Sequence, residues 1–263
     1  MKFFLAPMQG LTGYTVRNAF HHHFDYIDKY YTPFIPAAKR MNAKIKRDID
    51  PVNNDGITLI PQAMSIVADE VIDLHRQLVP YGYDEINVNL GCPSGTVVSK
   101  KRGSGILAYP DMLDSFLDDL YTKADFPVSI KTRVGFNDDE LWPKLIEIYS
   151  KYPISELTVH PRVQKDFYKN TPRMDDFALA IQKINPDKTI LCYNGDITDI
   201  NSFNALTDCF PDIDEIMIGR GLFANPALIA ELKGISMDKA ELRERLKNWH
   251  DEILSGYLSI FSG

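Results

Sequence analysis

Seven short polar groups recur along this sequence at points where β-rich runs end. They are Pro7-Met8-Gln9, Gln62, Asn89-Leu90-Gly91-Cys92-Pro93, Lys131-Thr132-Arg133, His160-Pro161-Arg162, Asn194-Gly195-Asp196 and Gly219-Arg220. Amide, thiol, cationic and imidazole groups gathered at one end of a strand set are costly to desolvate unless a ligand meets them. Cys92 lies in a Gly-Cys-Pro turn within the longest strand-to-strand gap, and long loops in compact domains are usually functional. With an ordinary pKa near ~8.5 its thiol is mostly protonated at neutral pH and can donate a proton. Nucleophilic use would require activation, for instance by His160. Lys131 reads either as a Schiff-base nucleophile, if Arg133 lowers its pKa, or as a fixed cation beside an anionic cofactor, which is the simpler reading. Gly195 and Gly219 allow backbone N–H groups to approach an anion, and Arg220 adds a forked cation, so the last two groups suit a phosphate.

Other candidates read differently. His21, His22 and His23 are consecutive, and successive helical residues point about 100° apart, so they cannot face one metal ion. No zinc spacing occurs elsewhere, and no metal is expected. Gly103-Ser104-Gly105-Ile106-Leu107-Ala108 matches a dinucleotide fingerprint in letters only, because a Lys-Lys-Arg loop precedes it rather than a strand. Two basic clusters stand out: Lys39, Arg40, Lys44, Lys46 and Arg47, then Lys100, Lys101 and Arg102. Placed at one rim they would suit a phosphate backbone. Cys192 and Cys209 read as packing residues, and three cysteines without a CxxC pair imply reduced thiols and a cytoplasmic setting.

The elements that must position these groups follow from periodicity. Strands are predicted at Phe3–Ala6, Tyr26–Tyr30, Thr58–Gln62, Glu85–Asn89, Pro127–Lys131, Glu156–His160, Lys188–Tyr193 and Glu215–Ile218. Their starts lie roughly 20 to 40 residues apart, the span of one βα unit. Helical patterns cover Ile66–Leu78 and Asp111–Leu120. Eight such pairs predict an α/β (β/α)8 TIM barrel over residues 1–232, with the site at the carboxyl ends of its strands. A doubly wound sheet would carry a glycine-rich turn after its first strand, and Pro7-Met8-Gln9-Gly10 is not one. Residues 233–263 add a short C-terminal helical extension. Met237–Leu258 reads as one amphipathic helix, with Leu242, Leu246, Trp249, Ile253 and Tyr257 on a shared face that must dock on something.

Composition sets the outer bounds. The chain has 263 residues, 44% hydrophobic and 25% charged, which suits a folded domain and excludes a disordered or collagen-like one. No apolar run approaches the ~20 residues of a membrane span, and the N-terminus, meeting Pro7 at once, is expected not to be a signal peptide. A net charge of −7 argues mildly against an evenly basic nucleic-acid binder without excluding local patches.

Taken together, Ala6-Pro7-Met8-Gln9-Gly10-Leu11-Thr12 with Arg17, Gln62, Asn89-Leu90-Gly91-Cys92-Pro93-Ser94 and the four later groups resemble the tRNA-dihydrouridine synthases. The resemblance runs over residues 3 to 230 in unbroken order. It implies an FMN enzyme that uses NADPH to reduce the C5–C6 bond of uridine in tRNA. It implies that Pro7, Met8 and Gln9 lie along the flavin ring, that Gln62 and Lys131 contact its polar edge, and that His160 lies near it. Asn194, Gly195, Asp196, Gly219 and Arg220 would bind the ribityl phosphate. Cys92 would deliver a proton to C5 as general acid, after hydride reaches C6. Asn89, Arg133 and Arg162 would contact uracil or phosphate, and Lys100, Lys101 and Arg102 the RNA backbone. One departure is the tail: family members usually carry a larger helical domain that grips tRNA, and residues 233–263 look like its first helix. A monomer is expected, with no membrane contact. Two other readings stay open: a flavin barrel acting on a free pyrimidine or enone, and a non-catalytic flavin- or RNA-binding module.

Overall fold

The computed structural model describes residues 1–37 and 40–261. Lys39 of the first basic cluster lies outside the described residues, as do Ser262 and Gly263. The strand segments are β1 (Lys2–Leu5), β2 (Lys29–Tyr31), β3 (Ile35–Pro36), β4 (Leu59–Ile60), β5 (Gln62–Met64), β6 (Ile86–Leu90), β7 (Val128–Gly135), β8 (Glu156–Val163), β9 (Ile190–Tyr193) and β10 (Glu215–Ile218). All pair in parallel.

Ten segments make eight barrel strands. Pro61 has no N–H to donate to a ladder, and it separates β4 from β5. The opposite strand breaks at the same level, between β2 and β3, and Thr32 fills the gap. Its N–H donates to the Ile60 carbonyl at 3.1 Å and its hydroxyl accepts from the Gln62 N–H at 2.9 Å. β1 pairs with both β2 and β10, so the sheet closes on itself. This is the TIM barrel that the sequence predicts, and every predicted strand has its counterpart. The second starts at Lys29 rather than Tyr26 because the Asp28 carboxylate, not a backbone carbonyl, accepts the Phe3 N–H at 2.8 Å. β7 and β8 run on past Lys131 and His160, so Arg133 and Arg162 sit in strands rather than loops.

Side chains alternate between two cores. Phe3, Leu5, Ile216 and Ile218 face outward into the large core under the helices. Phe4, Ala6, Tyr31, Ile60, Cys192 and Met217 form a smaller cluster of their own, and the alternation along β1 and β10 places it inside the barrel. Cys192 is thus a packing residue, whereas Cys209, expected to pack, is exposed at the last position of the helix Ile200–Cys209. Below the inner cluster, Glu156 accepts from Lys29 Nζ at 2.7 Å, Tyr31 Oη at 2.7 Å and Thr158 Oγ1 at 2.8 Å.

The helix Lys239–Phe261 docks on the helix Tyr14–His23. The face Leu242, Leu246, Trp249, Ile253 and Tyr257 packs on the main core, with Phe20 and Trp249 in edge contact at 5.3 Å. Gly256 permits the close approach, since a Cβ there would lie 2.9 Å from Thr15 Cγ2. Two of the three consecutive histidines serve this contact. His22 Nδ1 and His23 Nε2 hydrogen-bond the two oxygens of Glu252 at 2.9 and 2.8 Å, while His21 pairs with Asp25. Among the described residues no helix is long and apolar enough to cross a membrane.

Candidate active site

A cavity of about 550 Å³ opens at the carboxyl ends of the strands. Its walls bring together residues from seven sequence groups: Pro7, Met8 and Gln9; Gln62; Asn89 and Cys92; Lys131 and Arg133; His160; Asn194, Gly195 and Asp196; Gly219 and Arg220. That volume lies within the range of small-molecule and cofactor sites. Parallel register explains the convergence. Asn89 lies opposite Lys131, and Arg133 opposite His160, so residues far apart in sequence share one level of the barrel.

The Cys92 turn is held by a chain of buried amides. Ser129 Oγ accepts from Asn87 Nδ2 at 3.0 Å; Asn87 Oδ1 accepts from Gln62 Nε2 at 2.8 Å; Gln62 Oε1 accepts from Asn89 Nδ2 at 2.7 Å. Asn89 Oδ1 then accepts from the backbone N–H groups of Gly91 and Cys92 at 3.1 and 2.9 Å. Asn89 therefore shapes the turn, and both of its polar atoms are engaged. From behind, Ser104 donates from its N–H and its hydroxyl to the Cys92 carbonyl at 3.1 and 2.8 Å. Gly103, at φ +54°, leaves room for this, as a Cβ would sit 2.7 Å from that carbonyl. The Gly-rich stretch 103–108 thus packs against the Cys92 turn. Burial pushes the Cys92 thiol up, against the opposing pull of the Ser94 N–H, Arg133 and Lys131, so it stays protonated at neutral pH.

The opposite wall is cationic. Lys131 Nζ donates to Asn194 Oδ1 at 2.6 Å, and Asn194 Nδ2 donates to the Met217 carbonyl at 2.8 Å. Burial, reinforced by Arg133, pushes Lys131 down to about 7. His160 accepts at Nε2 from Arg162 Nη1 at 3.1 Å; since a guanidinium only donates, the proton of the neutral ring lies on Nδ1. Burial, then Arg133, Lys131, Arg162 and Arg220, hold His160 well below its ordinary value, so it is neutral. Burial alone would raise Asp196, yet Arg162 and Arg220 keep it below the usual carboxylate range. Arg220 Nη2 reaches Asp196 at 2.6 Å, and Arg162 forms a second ion pair with the same carboxylate. Among the described lining residues Lys131, Arg133 and Arg220 face one carboxylate, Asp196. Gly195 is required by space, as a Cβ there would lie 2.0 Å from Tyr193 Oη.

Several residues named from sequence lie elsewhere. Arg162 is 1% exposed and does not line the cavity; it donates to Asp196, His160 and the carbonyls of Lys169 and Asn170. Lys100, Lys101 and Arg102 follow the Cys92 turn outside the cavity. Arg102 pairs with Glu70 at 3.1 Å, and Lys101 Nζ lies 4.4 Å from the Tyr109 ring centre. Arg40, Lys44, Lys46 and Arg47 are exposed, the last three on the helix Ala43–Ile49. Four lining residues were not singled out from sequence: Phe34, Phe167, Tyr168 and Thr198. Phe167 and Tyr168 are 47% and 51% exposed. Two neighbouring aromatics in a strand-end loop, shortly after His160 and Arg162, were the available signal.

The dihydrouridine synthase family model matches residues 4–254 of this chain. The chain belongs to the dihydrouridine synthase family. Its family relatives include the tRNA-dihydrouridine synthase B of Pasteurella multocida, 26% identical over 243 residues, covering 89% of this chain and 69% of that protein. A Staphylococcus aureus protein named a probable tRNA-dihydrouridine synthase is 34% identical over 154 residues, 57% of this chain and 46% of that protein. The chain thus spans about half the length of the staphylococcal relative. Among solved structures, morphinone reductase superposes with a TM-score of 0.60 at 10% identity, covering 92% of this chain and 88% of that one. The old yellow enzyme homologue of Zymomonas mobilis gives 0.58 at 10% identity, over 94% and 92% of the two chains. These two likenesses concern the fold.

Proposed function

We propose that the chain binds FMN in this cavity and reduces the C5–C6 double bond of a uridine in tRNA, with NADPH as the reductant. The observation that carries the reading is a protonated, half-buried Cys92 facing a cationic wall in one cavity, in a member of this family. The donor set fits the cofactor. Lys131 is a half-buried amine whose charge is opposed by its surroundings, so an anion beside it relieves an existing cost. Gly195, Gly219 and Arg220 line one corner of the cavity, where the Arg220 guanidinium, held by Asp196, would meet a ribityl phosphate. Pro7, Met8 and Gln9 line the β1 side, where a flat ring can lie.

Held by these residues, FMN would supply reducing chemistry there, a hydride for C6 of the uracil drawn from NADPH. As charge builds toward C5 and O4, Cys92 delivers its proton to C5. A thiol raised by burial holds that proton until the charge develops, and Asn89 keeps the turn in place. The target base must leave its stack to reach the cavity floor. The exposed Arg40, Lys44, Lys46 and Arg47, with Lys100, supply charge for the RNA backbone. A free pyrimidine would have no use for them.

The test is dihydrouridine formation from unmodified tRNA with FMN and NADPH, read by mass spectrometry. Product mapped to one position is expected. Bound, NADPH-reducible flavin without product would move the reading to another substrate; no flavin binding would sink it.

A further inference from the structure

Arg133 has no part in the chemistry proposed above, and its surroundings are unusual for a cation. It is 2% exposed, and its hydrogen bonds go to backbone carbonyls alone. Apart from the Tyr168 ring, whose centre lies 5.6 Å from its Cζ, the guanidinium is met by carbonyl dipoles, and keeping its charge in a poor dielectric costs more than a neutral side chain of the same shape. Burial pushes it down to about 10. The three carbonyls belong to separate pieces of the mouth. Nε donates to Gly91, directly before Cys92, at 2.9 Å. Nη1 donates to Val163, the last residue of β8, at 2.9 Å. Nη2 donates to Phe167 at 2.7 Å.

Phe167 is itself strained, at φ 50° and ψ −98°, where a side chain with a Cβ is disfavoured. Such a conformation persists only if the surroundings impose it. Arg133 does so from one side, while Arg220 bonds the Tyr168 carbonyl at 3.3 Å and Arg162 bonds those of Lys169 and Asn170. A lysine could not replace the fork, as three donors in fixed, divergent directions need a guanidinium.

We infer that Arg133 is a positioning residue that sets the Cys92 turn and the Phe167–Tyr168 loop at a fixed separation across the mouth of the cavity. Its meaning for turnover rests on the function proposed above; its effect on the two segments does not.

The test uses the full chain, flavin-loaded, as wild type, R133K and R133A. Chymotrypsin cleavage after Phe167 and Tyr168 reports the loop. The pH profile of iodoacetamide alkylation, read at the Cys92 peptide by mass spectrometry, reports the turn. Cleavage in both variants is expected to rise about tenfold, selectively at this loop. Alkylation is expected to shift to higher pH in R133A, which loses both the charge and the bond to Gly91, and to recover only in part in R133K, which keeps the charge but not the fork. kcat is expected to fall about 100-fold in both, with KM little changed. Unchanged cleavage and alkylation with a raised KM would make Arg133 a substrate contact. Cleavage rising evenly along the chain, with flavin lost, would make it general support for the fold. Either result overturns the assignment. If wild type forms no dihydrouridine, the cleavage and alkylation results still judge Arg133 separately.

Discussion

Asn89 and Cys92 are tied through one atom: Asn89 Oδ1 accepts the Cys92 N–H at 2.9 Å while the Asn89 amide is itself anchored to Gln62. The turn that carries the thiol is therefore an extension of a buried polar chain reaching back to Ser129. Asn89→Ala strips two backbone N–H groups and Gln62 Oε1 of their partner. We expect a stability loss of about 1–3 kcal/mol, read from thermal unfolding, and a kcat loss larger than that of flavin affinity. Equal turnover by the variant would remove the positioning role of Asn89.

Cys92→Ala should keep flavin and its reduction by NADPH, because neither needs the thiol. Single-turnover dihydrouridine formation should fall about 10²- to 10⁴-fold, the usual range for a lost general acid. Full activity would transfer the proton-donor role to another group.

Lys131, at about 7, is half protonated in neutral solution without an anion beside it. An anionic cofactor favours its charged form, so binding takes up a proton. FMN affinity should fall as pH rises above 7, by up to about tenfold per unit. Lys131→Met should bind more weakly and lose this slope, as seen by flavin fluorescence quenching between pH 6.5 and 9. In the cofactor-free chain the sign is reversed. A lysine depressed on folding lets the unfolded state bind more protons between about 7 and 10.4, so its contribution to stability increases with pH there.

Asp176 behaves the opposite way. Burial and then Asp139 push it up to about 7, and the folded chain binds the extra proton. Its contribution is present below the ordinary carboxylate range near 4 and lost as pH rises through 7. Asp176→Asn should melt higher than wild type at pH 8, with the gap narrowing steadily as pH falls from 7 toward 4. Scanning fluorimetry from about pH 4 to 8 checks the narrowing.

Glu252→Ala frees His22 and His23 together and should cost about 1 kcal/mol or slightly more. Protease sensitivity should appear first in the helix Lys239–Phe261, while flavin occupancy stays level. Loss of flavin in this variant would show that the helix supports the site as well as the barrel.

What the sequence made readable follows from what is local and periodic. The eight strands announced themselves through short β-rich runs, and the last helix through its 3.6-residue face. The site groups stood out because polar residues at strand ends have no packing reason to be there. Three matters needed three dimensions. Arg133 and Arg162 look alike in sequence, each two residues beyond a site residue, yet only the register and the length of β7 and β8 put one on the cavity wall and the other behind it. Asn89 faces Gln62 rather than bulk solvent because β5 and β6 are neighbours. Phe167 and Tyr168 are held at the mouth by Arg133 and Arg220, from distant parts of the chain, which bond their two carbonyls.

That last arrangement bears on how the mouth can change over generations. Its hydrogen bonds are made to carbonyls, which every amino acid possesses, but the Tyr168 ring also lies 5.6 and 5.1 Å from the Arg133 and Arg220 guanidiniums, so the path of the loop depends on the side chain at 168 and not on that at 169. A change at Lys169 leaves the loop where it lies, whereas a change at Tyr168 alters the cavity wall and the contact with two of its arginines together, while Cys92 and its amide chain stay as they are.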